Sequence, residues 1–290
     1  MSKIIIITGP SATGKTNLAL KYAKKDNGEV VNFDSRQIYK YLDIITGKDK
    51  PDNLHIWLYD LVDPKEYFSS FDFTKTAVKT IKDILQRKKT PVLVGGTYLY
   101  LYHLLYKVET ENIPPNLKLR EELNSKTTLL LQKKLTRVDK QLFESLNESD
   151  KQNPQRLIRK IEIATFYKKK GKRVPTKMKF ALNGFFKDKE IEFVGLNYKN
   201  RDEMFHAIKQ RVDKRLEQGA LDEVTNLLEQ GYTENDPGMK TIGYQQIISY
   251  LKGEITKQQA IDLWTLKEFQ YTKRQLTFMK KDPHIKWIYV

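Results

Sequence analysis

The stretch that decides the fold of this chain is Lys3-Ile4-Ile5-Ile6-Ile7-Thr8-Gly9-Pro10-Ser11-Ala12-Thr13-Gly14-Lys15-Thr16. Its four consecutive isoleucines are typical of a short, buried strand. The residues Gly9-x-x-x-x-Gly14-Lys15-Thr16 fit the phosphate-binding loop pattern, and residues 17–23 continue with helical spacing. A strand, a glycine-rich loop and a helix in this order predict a site for a di- or triphosphate.

The loop itself supplies the chemistry of that site. Glycines let its N–H groups turn inward around a phosphate, and the start of the helix adds a positive dipole end. Lys15 supplies a mobile cation, and the Thr16 hydroxyl can reach a Mg²⁺ ion bound to the same phosphates. The predicted phosphate-binding residues are therefore Gly9, Pro10, Ser11, Ala12, Thr13, Gly14, Lys15 and Thr16.

Strands and helices alternate outward from this stretch. Strand character recurs at residues 29–34, 57–64, 91–97 and 190–196, with helical spacing at 73–89, 98–106, 201–218, 221–230 and 256–281. This alternation favours an α/β fold with a parallel sheet, similar to the core of P-loop NTPases.

Asp34 stands at the end of the second predicted strand. Ligands of doubly wound sheets bind beyond the carboxyl ends of the strands, which would bring Asp34 close to the phosphate-binding loop. Three roles are open at this point. The carboxylate could hold Mg²⁺ in a phosphate-transferring enzyme, act as a general base toward a second substrate, or cap a helix.

The pattern changes at Ile113, after which only helical periodicity is present up to about Gly171. We therefore predict an all-helical domain, residues 113–185, inserted into an α/β core of residues 1–112 and 186–290. Arg156, Arg159 and Lys160 share one side of a helix in this insertion, opposite an apolar side. Such a stripe suits a phosphate backbone, although a solvated helix face has the same pattern.

Charge also concentrates in the middle of the chain. Twenty Lys and Arg stand against ten Asp and Glu between Glu111 and Glu190, within a net charge of +16. This excess is typical of a protein that binds a polyanion, but a generally lysine-rich composition would also produce it.

Several classes of protein are disfavoured by composition. The chain has no cysteine, no apolar run long enough to span a bilayer, and no signal-peptide pattern before the loop. Its four histidines lack the spacing of metal ligands. We expect a cytoplasmic protein with no membrane partner.

Six separated motifs then carry a family resemblance. They are Gly-Pro-Ser-Ala-Thr-Gly-Lys-Thr (9–16), Asp-Ser-Arg-Gln-Ile-Tyr-Lys (34–40), Leu-Val-Gly-Gly-Thr-Tyr-Leu-Tyr (93–100), Asn-Pro-Gln-Arg-Leu-Ile-Arg (153–159), Thr-Ile-Gly-Tyr-Gln (241–245) and Tyr-Thr-Lys-Arg-Gln-Leu-Thr-Phe (271–278). In this order they resemble the motifs of bacterial tRNA dimethylallyltransferases, the IPP transferase or tRNA isopentenyltransferase family. The resemblance implies transfer of a dimethylallyl group from dimethylallyl diphosphate to N6 of adenosine 37, beside the anticodon of tRNAs that read codons beginning with U.

Roles for individual residues follow from the same resemblance. It implies that Asp34 accepts the proton of the attacking amine, that Lys15, Thr16 and Thr97 assist catalysis, and that Mg²⁺ is the cofactor. The partners are the tRNA anticodon stem-loop and the allylic diphosphate, and we expect a monomer. The residues implied to bind tRNA are Asp34, Ser35, Arg36, Gln37, Thr97, Arg120, Gln155, Arg156, Leu157, Ile158, Arg159, Lys240, Thr241, Ile242, Gly243, Tyr244, Gln245, Lys273 and Arg274.

Some positions depart from the family pattern. A small or apolar residue usually stands at Arg36, Gly-Thr-Ala at Ile45-Thr46-Gly47, and Ala and Trp at Thr272 and Phe278. These departures concern tRNA preference more than the chemistry.

Three other functions are compatible with parts of the sequence. A prenyltransferase of free adenylate needs no tRNA contacts, and a small-molecule kinase would use the same Lys15, Thr16 and Asp34. The third is a non-catalytic RNA-binding protein.

Overall fold

A parallel sheet forms the centre of the computed structural model, which describes residues 2–50, 54–108, 110, 113, 116–175 and 179–290. The strands are β1 (Lys3–Thr8), β2 (Gly28–Asn32), β3 (Ile56–Trp57), β4 (Thr90–Gly95), β5 (Glu190–Asn197) and β6 (Lys286–Tyr289). Their order across the sheet is β3-β2-β4-β1-β5-β6, and every pairing is parallel.

Helices follow most of the strands and make up the rest of the regular structure. They are α1 (Lys15–Lys25), α2 (Ser70–Gln86), α3 (Tyr98–Leu105), α4 (Leu117–Asn124), α5 (Thr128–Val138), α6 (Lys140–Ser145), α7 (Glu148–Lys151), α8 (Pro154–Lys169), α9 (Arg201–Glu217), α10 (Ala220–Glu229), α11 (Tyr244–Leu251) and α12 (Lys257–Met279).

The isoleucine strand β1 lies in the middle of the sheet. Ile5 pairs with Val92 of β4, and Ile6 pairs with Phe193 of β5. All four isoleucines are fully buried, as expected for a strand covered by helices on both faces of a parallel sheet. The predicted α/β class with a parallel sheet is confirmed.

The strands differ from the sequence pattern at three places. Strand β3 covers only Ile56–Trp57 instead of 57–64, because Leu58 and Asp60 adopt positive φ angles that end the extended backbone. The second strand stops at Asn32, two residues before Asp34, because Asn32 and Asp34 enter a turn held by side-chain hydrogen bonds. Strand β6 was not predicted. It is short, lies at the edge beside β5, and leaves Ile288 and Tyr289 about half exposed, so it lacks the alternation that marks a half-buried strand.

The chain divides into two compact units, Met1–Tyr106 with Leu182–Val290, and Lys107–Ala181. The first contains the sheet and is called the α/β unit. The second contains helices α4 to α8 and is called the helical unit. The sequence pattern places the corresponding boundaries at 112/113 and 185/186. Asn112, Pro114 and Pro115 lie outside the described residues.

The helical unit has its own apolar core and well-capped helices. Buried residues from α5 and α8 supply much of the core, including Leu131, Leu135, Leu157 and Ile161. Each helix begins after a residue whose side chain accepts a backbone N–H of the first turn, which satisfies a donor that the helix leaves unpaired. These capping residues are Asn116, Thr127, Asp139, Asn147 and Asn153.

In the part of the chain that the structure describes, no helix combines the length and the apolar character needed to cross a lipid bilayer.

Candidate active site

The phosphate-binding loop connects β1 to α1 and is shaped by its own backbone. Gly9 has φ +142°, and a side chain there would place its Cβ only 2.3 Å from the carbonyl oxygen of Leu196 in β5. Gly14, at φ +77°, lies directly before α1 in the left-handed region. Thr13 Oγ1 donates to the Pro10 carbonyl at 3.0 Å, which closes the loop on itself. The sequence therefore needs glycine at both ends of the loop.

Lys15 is held inside this loop without an ion pair among the described residues. Its Nζ donates to the Pro10 carbonyl at 2.5 Å. Burial lowers the pKa of Lys15 to about 7, and the charge of Arg211 adds to this effect, while Asp34 and Asp49 oppose it. A cation destabilised in this way gains the most from an anion placed beside it.

Asp34 follows β2 and has one carboxylate oxygen fixed by the backbone. Its Oδ1 accepts the Arg36 N–H at 2.9 Å, and its own N–H donates to Asn32 Oδ1 at 2.9 Å. Turn residues follow Asp34, so its carboxylate stabilises a turn instead of capping a helix. Its other oxygen, Oδ2, is directed toward Gly96, where an added Cβ would lie 3.4 Å away. One oxygen is thus positioned and the other is available to a ligand.

The ends of β2 and β4 are joined beside Asp34. Thr97 Oγ1 accepts the Ser35 N–H at 3.0 Å and is 3.1 Å from Ser35 Oγ. Gly95 is required for this approach, because a Cβ there would lie 2.9 Å from the Asp34 nitrogen. Thr97 and Ser35 are therefore paired with each other at the site.

Helix α12 contributes two further side chains. Gln275 Nε2 donates to the Gly96 carbonyl at 2.6 Å. Burial raises the pKa of Tyr271, and the nearby Asp34 carboxylate adds to this effect, so the phenol remains a neutral hydrogen-bonding group.

A cavity of about 270 Å³ within the α/β unit is lined by most of these groups, but not by Thr97, Ser35, Gly9 or Pro10. Its wall includes the loop residues 11–16, Asp34, Arg36, Gln37, Gly96, Thr241 and Ile242, which belong to motifs noted in the sequence, and Lys240, which directly precedes one of them. The wall also includes residues that the sequence did not single out as site residues: Asn17, Ile45, Thr46, Gly47, Asp49, Val94, Gly95, Arg211, Arg215, Glu268, Tyr271 and Gln275.

Two of the added residues are arginines of α9. Arg211 and Arg215 are one helical turn apart and so lie on the same face. That spacing was visible in the sequence, but many exposed helices carry the same pattern. Only the packing of α9 identifies these two arginines as part of the cavity wall.

Other expected tRNA-binding residues are buried in the α/β unit or hydrogen-bond to other residues within it. Tyr244 is fully buried, and its hydroxyl donates to Glu223 Oε1 at 2.5 Å. Gln245 Nε2 donates to the Met239 carbonyl at 2.9 Å and to the Glu234 carbonyl at 3.0 Å. Gly243, at φ +100°, packs closely on Trp264. Gln37 Nε2 donates to the carbonyls of Thr46 and Gly47 at 3.2 and 2.8 Å.

Two further expected tRNA-binding residues of the α/β unit, Lys273 and Arg274, are on α12 outside the cavity wall. Lys273 Nζ lies 4.7 Å from the ring centroid of Phe269, a cation–π contact. Arg274 is exposed.

In the helical unit, the expected tRNA-binding arginines surround a buried acid. Arg120 forms two hydrogen bonds with Glu162, from Nε at 2.8 Å and Nη2 at 2.9 Å. Arg159 Nη1 lies 3.2 Å from the same carboxylate, and its Nη2 donates to the Ile113 carbonyl. Burial opposes ionisation of Glu162, but Arg120, the Asn116 N–H and Arg159 outweigh it and hold the pKa below its usual value.

Of the other expected tRNA-binding residues on α8, two are buried and two are exposed. Leu157 and Ile158 are buried in the core of the helical unit. Gln155 is exposed, and the half-exposed Arg156 forms an ion pair with Asp150. Arg156 is thus the most accessible of the expected arginines on this helix.

The residues of the cavity suit a hard divalent cation bound together with a phosphate. The described residues contain no cluster of three or more His, Cys, Asp or Glu that could hold a metal alone. Mg²⁺ needs no such cluster, since it keeps several waters and is bound by one or two protein oxygens and the phosphates. Thr16, Asp34 and Asp49 offer such oxygens in the same wall.

Comparison with known proteins places this geometry in a family. The IPP transferase family matches residues 37–282. The chain is 36% identical to the tRNA dimethylallyltransferase of Caldanaerobacter subterraneus subsp. tengcongensis, over 99% of this chain and 92% of that protein. The chain belongs to the IPP transferase family. The enzyme of the same name from Thermoanaerobacter sp. is 34% identical over the same shares of the two chains.

Solved structures agree with the family assignment. The structure of the full-length tRNA isopentenylpyrophosphate transferase from Bacillus halodurans has a TM-score of 0.71 and 31% identity, covering 100% of this chain and 90% of that one. A eukaryotic dimethylallyltransferase acting on tRNA has a TM-score of 0.77 and 26% identity, covering 99% of this chain and 74% of that one. The resemblance to the IPP transferase family that the six motifs indicated is confirmed.

Proposed function

We propose that this chain is a prenyltransferase that moves a dimethylallyl group from dimethylallyl diphosphate to N6 of adenosine 37 in tRNA and releases diphosphate. The observation that carries the proposal is the placement of Lys15 and Asp34 in the wall of one cavity. A site for a phosphorylated leaving group and a carboxylate available to a nucleophile are thus adjacent. Family membership and relatives named tRNA dimethylallyltransferase support this reading over a kinase.

The leaving group is stabilised first. The bond between C1 of the donor and the bridging oxygen breaks, and its electron pair leaves with the diphosphate. The N–H groups of the loop, the start of α1 and Lys15 neutralise that charge. Arg211 lies in the same wall and adds a second cation.

The nucleophile is the exocyclic amine of adenine. A bond forms between N6 and C1, and one N6 proton passes to Asp34 Oδ2. Oδ1 keeps its hydrogen bond from Arg36, so the carboxylate holds its orientation during the transfer. General-base help of this kind contributes about 10²- to 10⁴-fold. A base in the anticodon loop must leave its stack to reach such a cavity.

Mg²⁺ bound by the Thr16 hydroxyl and diphosphate oxygens would supply additional charge stabilisation of the leaving group. The protein oxygens available to it are described above, and the loop donors act independently of it.

The tRNA is proposed to be the anticodon stem-loop of species that read codons beginning with U. The helical unit carries much of the positive charge of the chain and supplies the phosphate contacts, with Arg156 as its accessible arginine on α8. Arg36, Lys240 and Ile242 of the cavity wall are proposed to contact the flipped nucleotide. We propose a monomer acting in the cytoplasm, where tRNA is found.

The experiment is mass spectrometry of nucleosides from an unmodified tRNA transcript incubated with the protein, Mg²⁺ and dimethylallyl diphosphate. A dimethylallyl mass gain on the adenosine 3′ of the anticodon is the expected result. The same transcript with guanosine at that position is the matched control. A gain on free adenylate alone would assign the chain to nucleotide prenyltransferases, and no gain on either substrate would contradict prenyl transfer.

A further inference from the structure

A buried ion pair forms part of the cavity wall. Arg215 of α9 and Glu268 of α12 are 4% and 8% exposed, and Arg215 Nη1 lies 3.1 Å from Glu268 Oε1. Both side chains line the cavity that contains the phosphate-binding loop. Burying two charges is costly, and their attraction compensates only when the remaining donors and acceptors are also satisfied.

This pair is not satisfied internally. Glu268 Oε2 is buried and has no hydrogen-bond partner among the described residues. Arg215 uses Nη1 for Glu268, and its other N–H groups make no hydrogen bond within the described part of the chain. The carboxylate thus orients the guanidinium with one contact and leaves most of its donors available.

The backbone at Gly47 leaves room for the guanidinium groups of Arg211 and Arg215. Gly47 has φ +66°, and a Cβ there would lie 2.5 Å from Arg211 Nη2 and 2.7 Å from Arg215 Nη2. Any side chain at this position would displace one or both arginines. The absence of a side chain at Gly47 therefore permits Arg211 and Arg215 to lie together in the wall.

The charges at this wall are not balanced. Burial lowers the pKa of Arg215, and Arg211 lowers it further, while Glu268 acts in the opposite direction. Arg211 also contributes to the lowered pKa of Lys15. Arg211 thus repels both Arg215 and Lys15, and a multiply charged anion beside these cations would relieve that repulsion.

We propose that Arg215 binds the diphosphate of the allylic donor beside Arg211, and that Glu268 is the residue that positions it. The identity of the anion rests on the proposed function. The loop and Lys15 hold one phosphoryl group, and the two guanidinium groups bind the other. Planar guanidinium groups suit this task because their N–H donors match phosphate oxygens in pairs.

Arg215→Met tests the contact, with inorganic diphosphate as the probe in isothermal titration calorimetry. We expect Kd to rise about 10- to 100-fold, since a hydrogen-bonded contact to a charged group is lost. Lys214→Met is the matched control, because Lys214 lies on the same helix, outside the cavity wall, and carries the same charge. Its Kd is expected to stay within about twofold of the wild type.

A second variant separates binding from folding. Arg215→Met with Glu268→Leu removes the whole ion pair, which often leaves a protein as stable as before. We expect a melting temperature close to that of the wild type, together with the same loss of diphosphate affinity. Unchanged Kd in both variants would overturn the proposal and leave the pair a structural one.

Glu268 is tested by comparing two substitutions. Glu268→Gln can still accept the Arg215 N–H, whereas Glu268→Ala cannot. A positioning role predicts a several-fold higher KM for dimethylallyl diphosphate in the Ala variant, a smaller change in kcat, and near-normal KM in the Gln variant. Equal losses in both variants, or none in either, would contradict that role.

The outcome separates this inference from the proposed function. Arg215-dependent binding of inorganic diphosphate, without prenyl transfer to tRNA, would contradict the proposed function alone. Transfer to tRNA with a normal donor KM in Arg215→Met would contradict this inference alone.

Discussion

Gln275 Nε2 donates to the carbonyl of Gly96 at 2.6 Å and so joins α12 to the end of β4 across 179 positions of the chain. Gly96 also lies beside Asp34 Oδ2. The hydrogen bond therefore fixes the distance between the last long helix and the proposed base.

Removing this hydrogen bond is expected to disturb both stability and rate. Gln275→Ala removes one of two donors to the Gly96 carbonyl, which keeps the Tyr98 N–H at 3.0 Å, so we expect the unfolding free energy to fall by about 0.5–1.5 kcal/mol. We expect a lower melting temperature and a fall in kcat of about tenfold. Thr277→Ala is the control, because the Thr277 hydroxyl bonds only within α12. Equal kcat values in the two variants would show that α12 does not position the site.

Asp34→Asn tests the proposed base. The amide oxygen can still accept the Arg36 N–H, so the turn is kept while the basic oxygen is lost. Transfer is expected to slow about 10²- to 10⁴-fold in single-turnover assays, with tRNA affinity within about twofold of the wild type. Asp49→Asn removes the same charge from the cavity wall and should cost less than about tenfold. A near-normal rate for the Asp34→Asn variant would remove Asp34 from catalysis.

The parts of this site that follow from sequence are those set by local pattern. Four isoleucines and a glycine loop define the central strand and the phosphate site because strand burial and loop geometry need only neighbouring residues. Asp34 could be placed near the loop because parallel strands end at the same edge of a sheet.

The remaining parts depend on contacts between distant residues. Arg211 and Arg215 are ordinary surface arginines by spacing, and only the packing of α9 brings them into the cavity wall. The basic residues of α8 show the reverse, a side chain that the pattern predicts to be accessible and that folding pairs with a buried acid. Arg159 looks accessible by helical periodicity, but folding places it against the buried Glu162. A one-dimensional charge pattern cannot distinguish these two cases.

The lowered pKa of Lys15 predicts a specific pH dependence. In the free protein this pKa is about 7, because burial and Arg211 disfavour the charged amine. An anion raises it again, so binding takes up a proton when the pH is above that value. As pH rises above about 7, less of the free protein carries the charge, and the affinity due to Lys15 falls by up to about tenfold per pH unit.

Titration calorimetry with inorganic diphosphate can isolate this effect. Lys15→Arg is the matched variant, because its guanidinium stays charged at every pH used. The ratio of the two Kd values cancels the ionisation of diphosphate itself. We expect the ratio of wild-type to variant Kd to increase from about pH 7 to about pH 9. A ratio independent of pH would mean that Lys15 is already fully charged in the free protein.

Two arginines of the helical unit are expected to respond differently to substitution. Arg156 is half exposed and pairs only with Asp150 among the described residues, whereas Arg120 balances the buried Glu162. Arg156→Ala should weaken tRNA binding and reduce the slope of log K against log salt by about 0.7–0.9, the value for one lost phosphate contact. Its melting temperature should stay close to that of the wild type.

Arg120→Ala should instead lower stability, because Glu162 is 3% exposed and keeps only Arg159 and the Asn116 N–H as partners among the described residues. The loss is expected to be about 1–3 kcal/mol, measured by denaturant unfolding. Arg120→Met with Glu162→Leu should recover most of it, since the unbalanced charge is then removed. If the double variant is stable and keeps the wild-type salt slope, Arg120 supports the helical unit and does not contact tRNA. A slope reduced by about 0.7–0.9 in the double variant would assign it a phosphate contact as well.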